Sequence, residues 1–170
     1  MEAKVSIIMG STSDWPVMAE AAKILEQFEI PFEINALSAH RVPDQVMTFA
    51  KGAVDKGVRV IVAGAGGAAH LPGVVAAMTP LPVIGVPCRS SISLDGWDSL
   101  LSIVQMPPGI PVATVGVDAG QNAGILAVQI LAAGDNALLQ RLVSFKEGLK
   151  NKVLKANEEL KVHQFKFRVN

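Results

Sequence analysis

The sequence predicts an α/β fold in which a parallel sheet of about five strands is flanked by helices. Short β-branched runs alternate with longer segments of helical period, which is the pattern of repeated βαβ units. Half of the 170 residues are hydrophobic but only 5% are aromatic, so aliphatic side chains must build the core. That composition suits a sheet buried on both faces. The length fits a single domain over residues 1–170.

The first half of the chain carries three strand–helix units. We expect strands at residues 5–9, 32–36 and 58–63. The first helix begins near Asp14, whose carboxylate suits a helix N-terminus, and ends before Pro31. The second helix follows Pro43, and the third begins near Leu71 after a glycine-rich turn.

The second half is predicted to add two strands and three helices. The strands are residues 83–86 and 112–115, and the helices are residues 94–104, 122–132 and 136–160. Between the first of these helices and the last strand, residues 105–109 contain two prolines and a glycine and cannot be helical. Their composition leaves open whether they form a simple connector or a loop shaped for a purpose.

The last helix follows all five strands, so it covers its own sheet or extends to a neighbour. One face carries Leu138, Leu142, Phe145, Leu149 and Val153. The tail adds Phe165 and Phe167, which a free terminus would leave in water. We therefore predict that residues 156–170 dock on a neighbouring subunit.

Charge and cysteine content argue against several classes of protein. Net charge is zero, although residues 135–170 carry 8 basic and 4 acidic side chains. Acidic residues are interleaved there and no aromatic platform accompanies them, which favours a solvated helix face over a nucleic-acid site. No apolar run is long enough for a membrane span. Cys88 stands alone, without the spacing of a metal site, so we expect a soluble protein of the reducing cytoplasm.

Three loops should meet at the carboxyl ends of the parallel strands, where open α/β sheets bind ligands. The first, residues 10–14, ends at a helix N-terminus and offers hydroxyls and amides for a phosphate. Asp14 either caps the helix or accepts hydrogen bonds from a ribose. The second loop places His40, which can gain or lose a proton near neutral pH, beside Arg41, which can bind a phosphate or carboxylate.

The third loop, residues 64–70, has so little side-chain bulk that a ligand can approach its backbone. It also matches G-x-G-x-x-A, one form of the dinucleotide fingerprint, but it follows the third strand and lacks the downstream acidic residue. His70 either orients this turn or faces the ligand.

Taken together, these loops closely resemble the class I N5-carboxyaminoimidazole ribonucleotide mutases over roughly residues 4–155. The resemblance rests on four segments: Met9-Gly10-Ser11-Thr12-Ser13-Asp14, Ser38-Ala39-His40-Arg41, residues 63–73 and residues 99–107. The related class II enzymes, which carboxylate aminoimidazole ribonucleotide with carbon dioxide, typically carry Lys after the corresponding His. Arg41 and the 66–70 run therefore favour class I, and Val42 is a small departure because the family more often has Thr there.

The resemblance implies a flavodoxin-like three-layer αβα domain, assembled as an octamer with active sites at subunit contacts, in the cytoplasm. It implies that His40 is the general acid/base and that residues 105–109 cover the site. The implied substrate-binding residues are Ser11, Ser13, Asp14, Ser38, Ala39, Arg41, Gly64, Gly66, Gly67, Ala68, His70 and Leu71. No metal and no cofactor is implied.

The implied reaction belongs to purine (IMP) biosynthesis. The N5-carboxylate leaves as carbon dioxide, which stays trapped until ring carbon four attacks it, and His40 handles both protons. The substrate would come from an ATP-dependent synthetase. Rival interpretations are the class II carboxylase, a flavin- or dinucleotide-binding module, and a receiver-type interaction domain. The receiver domain lacks support because the third strand ends in Ala63-Gly64 and no acidic cluster or phospho-acceptor is present.

Overall fold

The predicted strands pair in parallel into one sheet in the computed structural model, which describes residues 2–169. The strands are β1 (Val5–Met9), β2 (Phe32–Ala36), β3 (Val60–Gly66), β4 (Val83–Cys88) and β5 (Ala113–Thr114). The helices are α1 (Trp15–Gln27), α2 (Pro43–Gly52), α3 (Leu71–Ala76), α4 (Trp97–Val104), α5 (Gly120–Ala132) and α6 (Asn136–Leu160). A single 3-10 turn, Thr12–Asp14, precedes α1.

The strand order is β2-β1-β3-β4-β5, which is the flavodoxin-like order. The chain moves from β1 outward to β2 and then returns to the other side of β1 as β3. Helices α1, α5 and the start of α6 cover one face, and α2, α3 and α4 contribute to the core on the other. The three-layer α/β prediction is therefore confirmed.

The predicted ends of β3 and β4, at residues 63 and 86, come too early, because the strands run to Gly66 and Cys88. β3 starts at Val60 because the Val58 amide donates to the Ala53 carbonyl in the preceding turn. It continues to Gly66 because Ala65 pairs with Pro87 and Gly66 with Cys88, which also lengthens β4. Much of the glycine run that the sequence suggested as a loop is thus strand.

Other boundaries shift for local reasons. α4 begins at Trp97 and not at residue 94, because Asp95 and Gly96 have φ values of 53° and 85° and cannot be helical. α5 begins two residues earlier than predicted, at Gly120. β5 is reduced to Ala113–Thr114 at the edge of the sheet.

Helices α1 and α5 approach each other closely on the first face, where α5 presents glycines to α1. A Cβ at Gly120 would lie 1.9 Å from the Val17 carbonyl oxygen, and one at Gly124 would lie 2.9 Å from the Ala21 carbonyl oxygen. Any side chain at these positions would force the helices apart. This packing fixes α1, and with it the 3-10 turn at the end of β1.

Only the first half of α6 packs on the sheet layer. Leu138 and Leu142 are buried, and the Phe145 ring meets Phe28 edge to face at 5.5 Å. Val153 on the same helix face is 64% exposed, and the tail leaves Phe165 and Phe167 72% and 86% exposed. Within residues 2–169, no helix combines the length and the apolar character that crossing a membrane requires.

Candidate active site

A cavity of about 300 Å³ lies at the carboxyl ends of the strands, around the point where the chain crosses from one side of β1 to the other. The loops that follow β1, β2, β3 and β4 all contribute to it. Its lining residues are Gly10, Ser11, Ser13, Asp14, Ser38, Ala39, His40, Arg41, Ala65, Gly66, Ala69, His70, Leu71, Ser90, Ser91 and Ile92. Ten of the thirteen site residues predicted from the sequence line it, and the other three, Gly64, Gly67 and Ala68, are not among its described lining residues.

 Leu71, one of these ten residues, is buried at the start of α3, where it forms part of the cavity wall.

His40 and His70 meet inside this cavity, although 30 positions separate them in the chain. The His40 Nε2 and His70 Nδ1 atoms are 2.7 Å apart, and the two rings stand at 86° to each other. One nitrogen must donate and the other must accept, so one of the two facing nitrogens is unprotonated. Both side chains remain exposed on the cavity side. The pair can therefore exchange a proton with a bound ligand.

Arg41 ties the first two loops together. Its Nε donates to the Ser38 hydroxyl at 3.2 Å, and its Nη2 donates to the Gly10 carbonyl at 2.9 Å. The guanidinium is exposed and holds its planar donor fork beside the hydroxyl-rich turn after β1. Ala39 lines the cavity between Ser38 and His40 without filling it. This end of the cavity is suited to a phosphate or carboxylate.

Asp14 is turned into the cavity and does not cap α1. Ser11 makes the local cap, because its hydroxyl accepts from the Ser13 amide at 3.3 Å. Asp14 is only 6% exposed, and its carboxylate makes no capping hydrogen bond to α1. The Ser13 hydroxyl contacts it at 3.5 Å. Burial raises the pKa of Asp14, and the hydrogen bonds from Ser13 and Ser11 partly oppose that shift. A buried carboxylate facing a cavity is well placed to accept ligand hydroxyls.

The glycine-rich segment divides into lining and supporting residues. Gly66 lines the cavity, whereas Gly64, Gly67 and Ala68 are not among its described lining residues. Gly64 lies inside β3, where a Cβ would come within 2.3 Å of the Met18 sulfur. Close packing against Met18 of α1 therefore explains why this position has no side chain.

Gly67 and Ala68 are supported from behind by α4. The buried Ser99 hydroxyl donates to the Gly67 carbonyl at 3.0 Å and lies 3.4 Å from the Cys88 carbonyl, and the Ser102 hydroxyl donates to the Ala68 carbonyl. The turn also places Ala69 at a φ of 47°. These contacts fix the backbone that presents Gly66 and His70 to the cavity.

A fourth loop, which was not predicted from the sequence, contributes Ser90, Ser91 and Ile92 to the cavity. It follows β4 at the same edge as the other three loops, so the rule on strand ends would have found it. Its composition drew no attention, because it has neither a glycine run nor a histidine. Within the described residues, Ser90 Oγ is the buried side-chain polar atom that has no hydrogen-bond partner.

Neither a metal centre nor a reactive thiol emerges from the described part of the chain. Residues 2–169 contain no group of three or more His, Cys, Asp or Glu side chains placed to hold a metal ion. Cys88 is fully buried at the end of β4. Burial, with smaller contributions from the Asp14 and Asp118 charges, raises the pKa of its thiol to about 12. The thiol is therefore protonated and poorly nucleophilic at neutral pH.

Comparisons with known proteins find relatives that match most of the chain. An N5-carboxyaminoimidazole ribonucleotide mutase of Mycobacterium tuberculosis is 56% identical over 157 residues, covering 92% of this chain and 90% of that protein. A phosphoribosylaminoimidazole carboxylase of Schizosaccharomyces pombe is 58% identical over 156 residues, covering 92% of this chain but 28% of that protein. A crystal structure of a Treponema denticola PurE2 variant superposes with a TM-score of 0.83 at 26% identity, covering 95% of this chain and 99% of that one.

The match to the family is equally broad. The model of the family described as AIR carboxylase matches residues 4–152, which include all five strands and every loop that lines the cavity. Family membership and cavity thus coincide on the same residues, and the chain belongs to the AIR carboxylase family.

Proposed function

We propose that this chain is an N5-carboxyaminoimidazole ribonucleotide mutase, which interconverts N5-carboxyaminoimidazole ribonucleotide and 4-carboxyaminoimidazole ribonucleotide in IMP biosynthesis. The observation that carries the proposal is the 2.7 Å contact between His40 and His70 in a cavity that also holds Arg41. A proton-transfer group and an anion-binding group thus face one ligand. The mutase relative from M. tuberculosis, 56% identical, supports the choice of reaction.

The substrate is an anion at one end and a small heterocycle at the other. Arg41 and the hydroxyls of Ser11 and Ser13 provide donors for the phosphate, and Asp14 provides an acceptor for the ribose hydroxyls. Ser38 positions the Arg41 guanidinium through the 3.2 Å hydrogen bond. The imidazole ring then points toward Gly66, Ala69 and Leu71, where little side-chain bulk opposes it.

His40 acts as the general acid and then as the general base. In the first step the bond between N5 and the carboxyl carbon breaks, its electron pair returns to N5, and His40 supplies the proton. Carbon dioxide and aminoimidazole ribonucleotide result. In the second step ring carbon four attacks carbon dioxide, and His40 removes the proton from carbon four. His40 regains in the second step the proton that it gave in the first, so no external acid, base, metal or cofactor is required.

His70 completes the proton-transfer pair. Its Nδ1 faces the His40 Nε2, so it orients the His40 ring and accepts or donates the hydrogen bond that the changing charge of His40 requires. Gly66, on the backbone that Gly67 and Ala68 hold in place through their hydrogen bonds to α4, keeps the cavity wall close to trapped carbon dioxide.

We further propose that the protein is a single-domain enzyme of the cytoplasm that assembles as an octamer. The exposed second half of α6 and the exposed Phe165 and Phe167 support docking of residues 156–170 on a neighbouring subunit. This chain matches only 28% of the length of the S. pombe relative, so in S. pombe the corresponding unit is part of a longer protein. That supports a functional link to the ATP-dependent synthetase that makes the substrate.

The deciding test is an absorbance assay on metal-stripped protein for interconversion of the two carboxylated ribonucleotides without added bicarbonate. Rapid interconversion is the expected result. Product formed only from aminoimidazole ribonucleotide at high bicarbonate would replace the mutase by a class II carboxylase. Failure of both reactions would reject both enzymes, and flavin or nucleotide absorbance of the purified protein would then favour a binding module.

A further inference from the structure

The hydroxyl of Ser90 is buried at the cavity wall and has no hydrogen-bond partner in the described chain. A buried hydroxyl without a partner costs free energy, because it has lost its hydrogen bonds to water. Ser90 lies in the loop after β4, at the edge of the sheet where the other three loops contribute His40, Arg41 and Asp14. A hydroxyl in this position is explained if a bound ligand completes its hydrogen bonding.

Both backbone polar groups of Ser90 are hydrogen-bonded, which holds the residue in place. The Ser90 amide donates to the Ser93 hydroxyl at 3.0 Å, and that hydroxyl lies 3.1 Å from the Ser90 carbonyl. The preceding residue is anchored as well, since the Arg89 amide donates to Asp118 at 2.9 Å and its guanidinium pairs with the same carboxylate at 3.2 Å. The hydroxyl is thus presented from a fixed turn.

Ser90 packs against Gly66, the last residue of β3, and lies near Gly67, which follows it. A Cβ built on Gly66 would lie 3.1 Å from the Ser90 Cβ and 3.4 Å from its Oγ, and one built on Gly67 would lie 4.0 Å from that Oγ. Ser90 therefore packs directly against the backbone at Gly66, where a Cβ would crowd the Ser90 side chain. Arg41 and the serines of the first loop line the part of the cavity contributed by β1 and β2, away from β4 in the sheet order.

We propose that Ser90 donates a hydrogen bond to the carboxylate that the enzyme moves, which makes it a substrate-binding residue that selects carboxylated ligands. This assignment rests on the proposed function, under which the phosphate occupies the Arg41 end. The ring and its carboxylate then occupy the end formed by the loops after β3 and β4. A carboxylate oxygen is an acceptor for the single hydroxyl proton, and hydrogen bonds to charged groups are stronger than neutral ones.

Binding of two ligands that differ only in the carboxylate tests the assignment. Titration calorimetry would compare wild type and Ser90→Ala with 4-carboxyaminoimidazole ribonucleotide and with aminoimidazole ribonucleotide. We expect Ser90→Ala to weaken binding of the carboxylated ligand by roughly tenfold or more. Binding of the ligand without the carboxylate should stay within about twofold, because no hydrogen bond to it is lost.

Thermal unfolding of the free protein supplies a second readout. Ser90→Ala removes an oxygen that has no partner, so Tm should stay the same or rise. Ser99→Ala is the matched comparison, because it removes a buried hydroxyl that serves the Gly67 and Cys88 carbonyls. That variant should lower Tm. The opposite responses of two buried serines would separate a ligand-binding role from a structural one.

Four results would overturn the assignment. Unchanged affinity for both ligands, or equal loss for both, would show that Ser90 does not contact the carboxylate. A fall in Tm like that of Ser99→Ala would show that the hydroxyl supports the fold. If wild-type protein bound neither ribonucleotide, the proposed function would fail together with the assignment, whereas the first three results leave the proposed function standing.

Discussion

The Nε2 atom of His40 lies 2.7 Å from the Nδ1 atom of His70, although the two residues follow strands on opposite sides of β1. His40 follows β2 and His70 follows β3, so their contact bridges the loop after β1. The contact makes the two rings one proton-sharing unit at the point where the chain changes direction in the sheet. It leaves Nδ1 as the His40 ring nitrogen that is not engaged with His70.

Replacing the proposed proton-transfer group should separate binding from chemistry. His40→Asn keeps a polar side chain of similar size but cannot exchange a proton near neutral pH. We expect kcat to fall by roughly 10²–10⁴-fold while the Kd for substrate changes little. Mutase assays and titration calorimetry on the same preparation would measure both. Turnover near the wild-type rate would remove His40 from the mechanism.

His70→Ala should also slow the reaction, by a smaller factor, because His40 would lose its oriented partner but keep its own imidazole. We expect kcat to fall by roughly tenfold or more, as for a positioning contact in general acid/base catalysis. His70→Asn, whose amide carries both a donor and an acceptor, should recover part of the rate. Equal kcat for the alanine and asparagine variants would show that the hydrogen bond does not matter.

The buried Asp14 carboxyl should make the free protein less stable at neutral pH. Burial raises its pKa in the folded protein above the ordinary value of 3.8, so the folded state binds the proton more tightly than the unfolded state. Stability attributable to this group therefore decreases as pH rises from 3.8 through the raised pKa, and the cost persists above it. Asp14→Asn removes the ionised form.

We therefore expect Asp14→Asn to raise Tm at pH 7, and the difference from wild type to shrink as pH approaches the ordinary value of 3.8. Affinity for the ribonucleotide should fall at the same time. The control is Asp44→Asn, which changes an exposed carboxylate in the first turn of α2 and should lower Tm slightly. A lower Tm for Asp14→Asn at pH 7 would contradict this prediction. It would mean that the hydrogen bonds of the Asp14 carboxylate stabilise the fold by more than its burial destabilises it.

The parts of this protein that the sequence predicts are those with local signals. Alternation of β-branched runs and helical periods predicts all five strands, and strand ends predict that His40, Arg41 and Asp14 share a rim. The contact between His40 and His70 depends on sheet order, which local patterns do not encode. Ser90 was missed because the property that marks it, an unpartnered buried hydroxyl, exists only after folding.

The glycines also show what the sequence alone does not predict. Residues 64–67 look like one flexible loop in the sequence, but Gly64 is strand and is required by Met18, whereas Gly67 is in a turn with a φ of 60°. Gly120 and Gly124 carry no sequence signal at all for the close approach of α5 to α1. A glycine that is required for packing and one that is not look identical until the neighbouring atoms are known.

Two glycine-to-alanine substitutions test that distinction. At Gly120 a Cβ would lie 1.9 Å from the Val17 carbonyl oxygen, a backbone atom that cannot move without displacing α1. Gly120→Ala should cost about 1–3 kcal/mol or more in the free energy of unfolding. At Gly148, an exposed position inside α6, nothing lies within 4 Å, so Gly148→Ala should gain up to about 1 kcal/mol from helix propensity.

Denaturant unfolding of the two variants and the wild type would measure both changes. The displacement of α1 by Gly120→Ala should also reach Asp14 and the turn before it, so substrate affinity should fall together with stability. Gly148→Ala should leave affinity unchanged because α6 does not line the cavity. If Gly120→Ala unfolded like wild type, α5 and α1 would have to separate at no cost, which their shared buried core argues against.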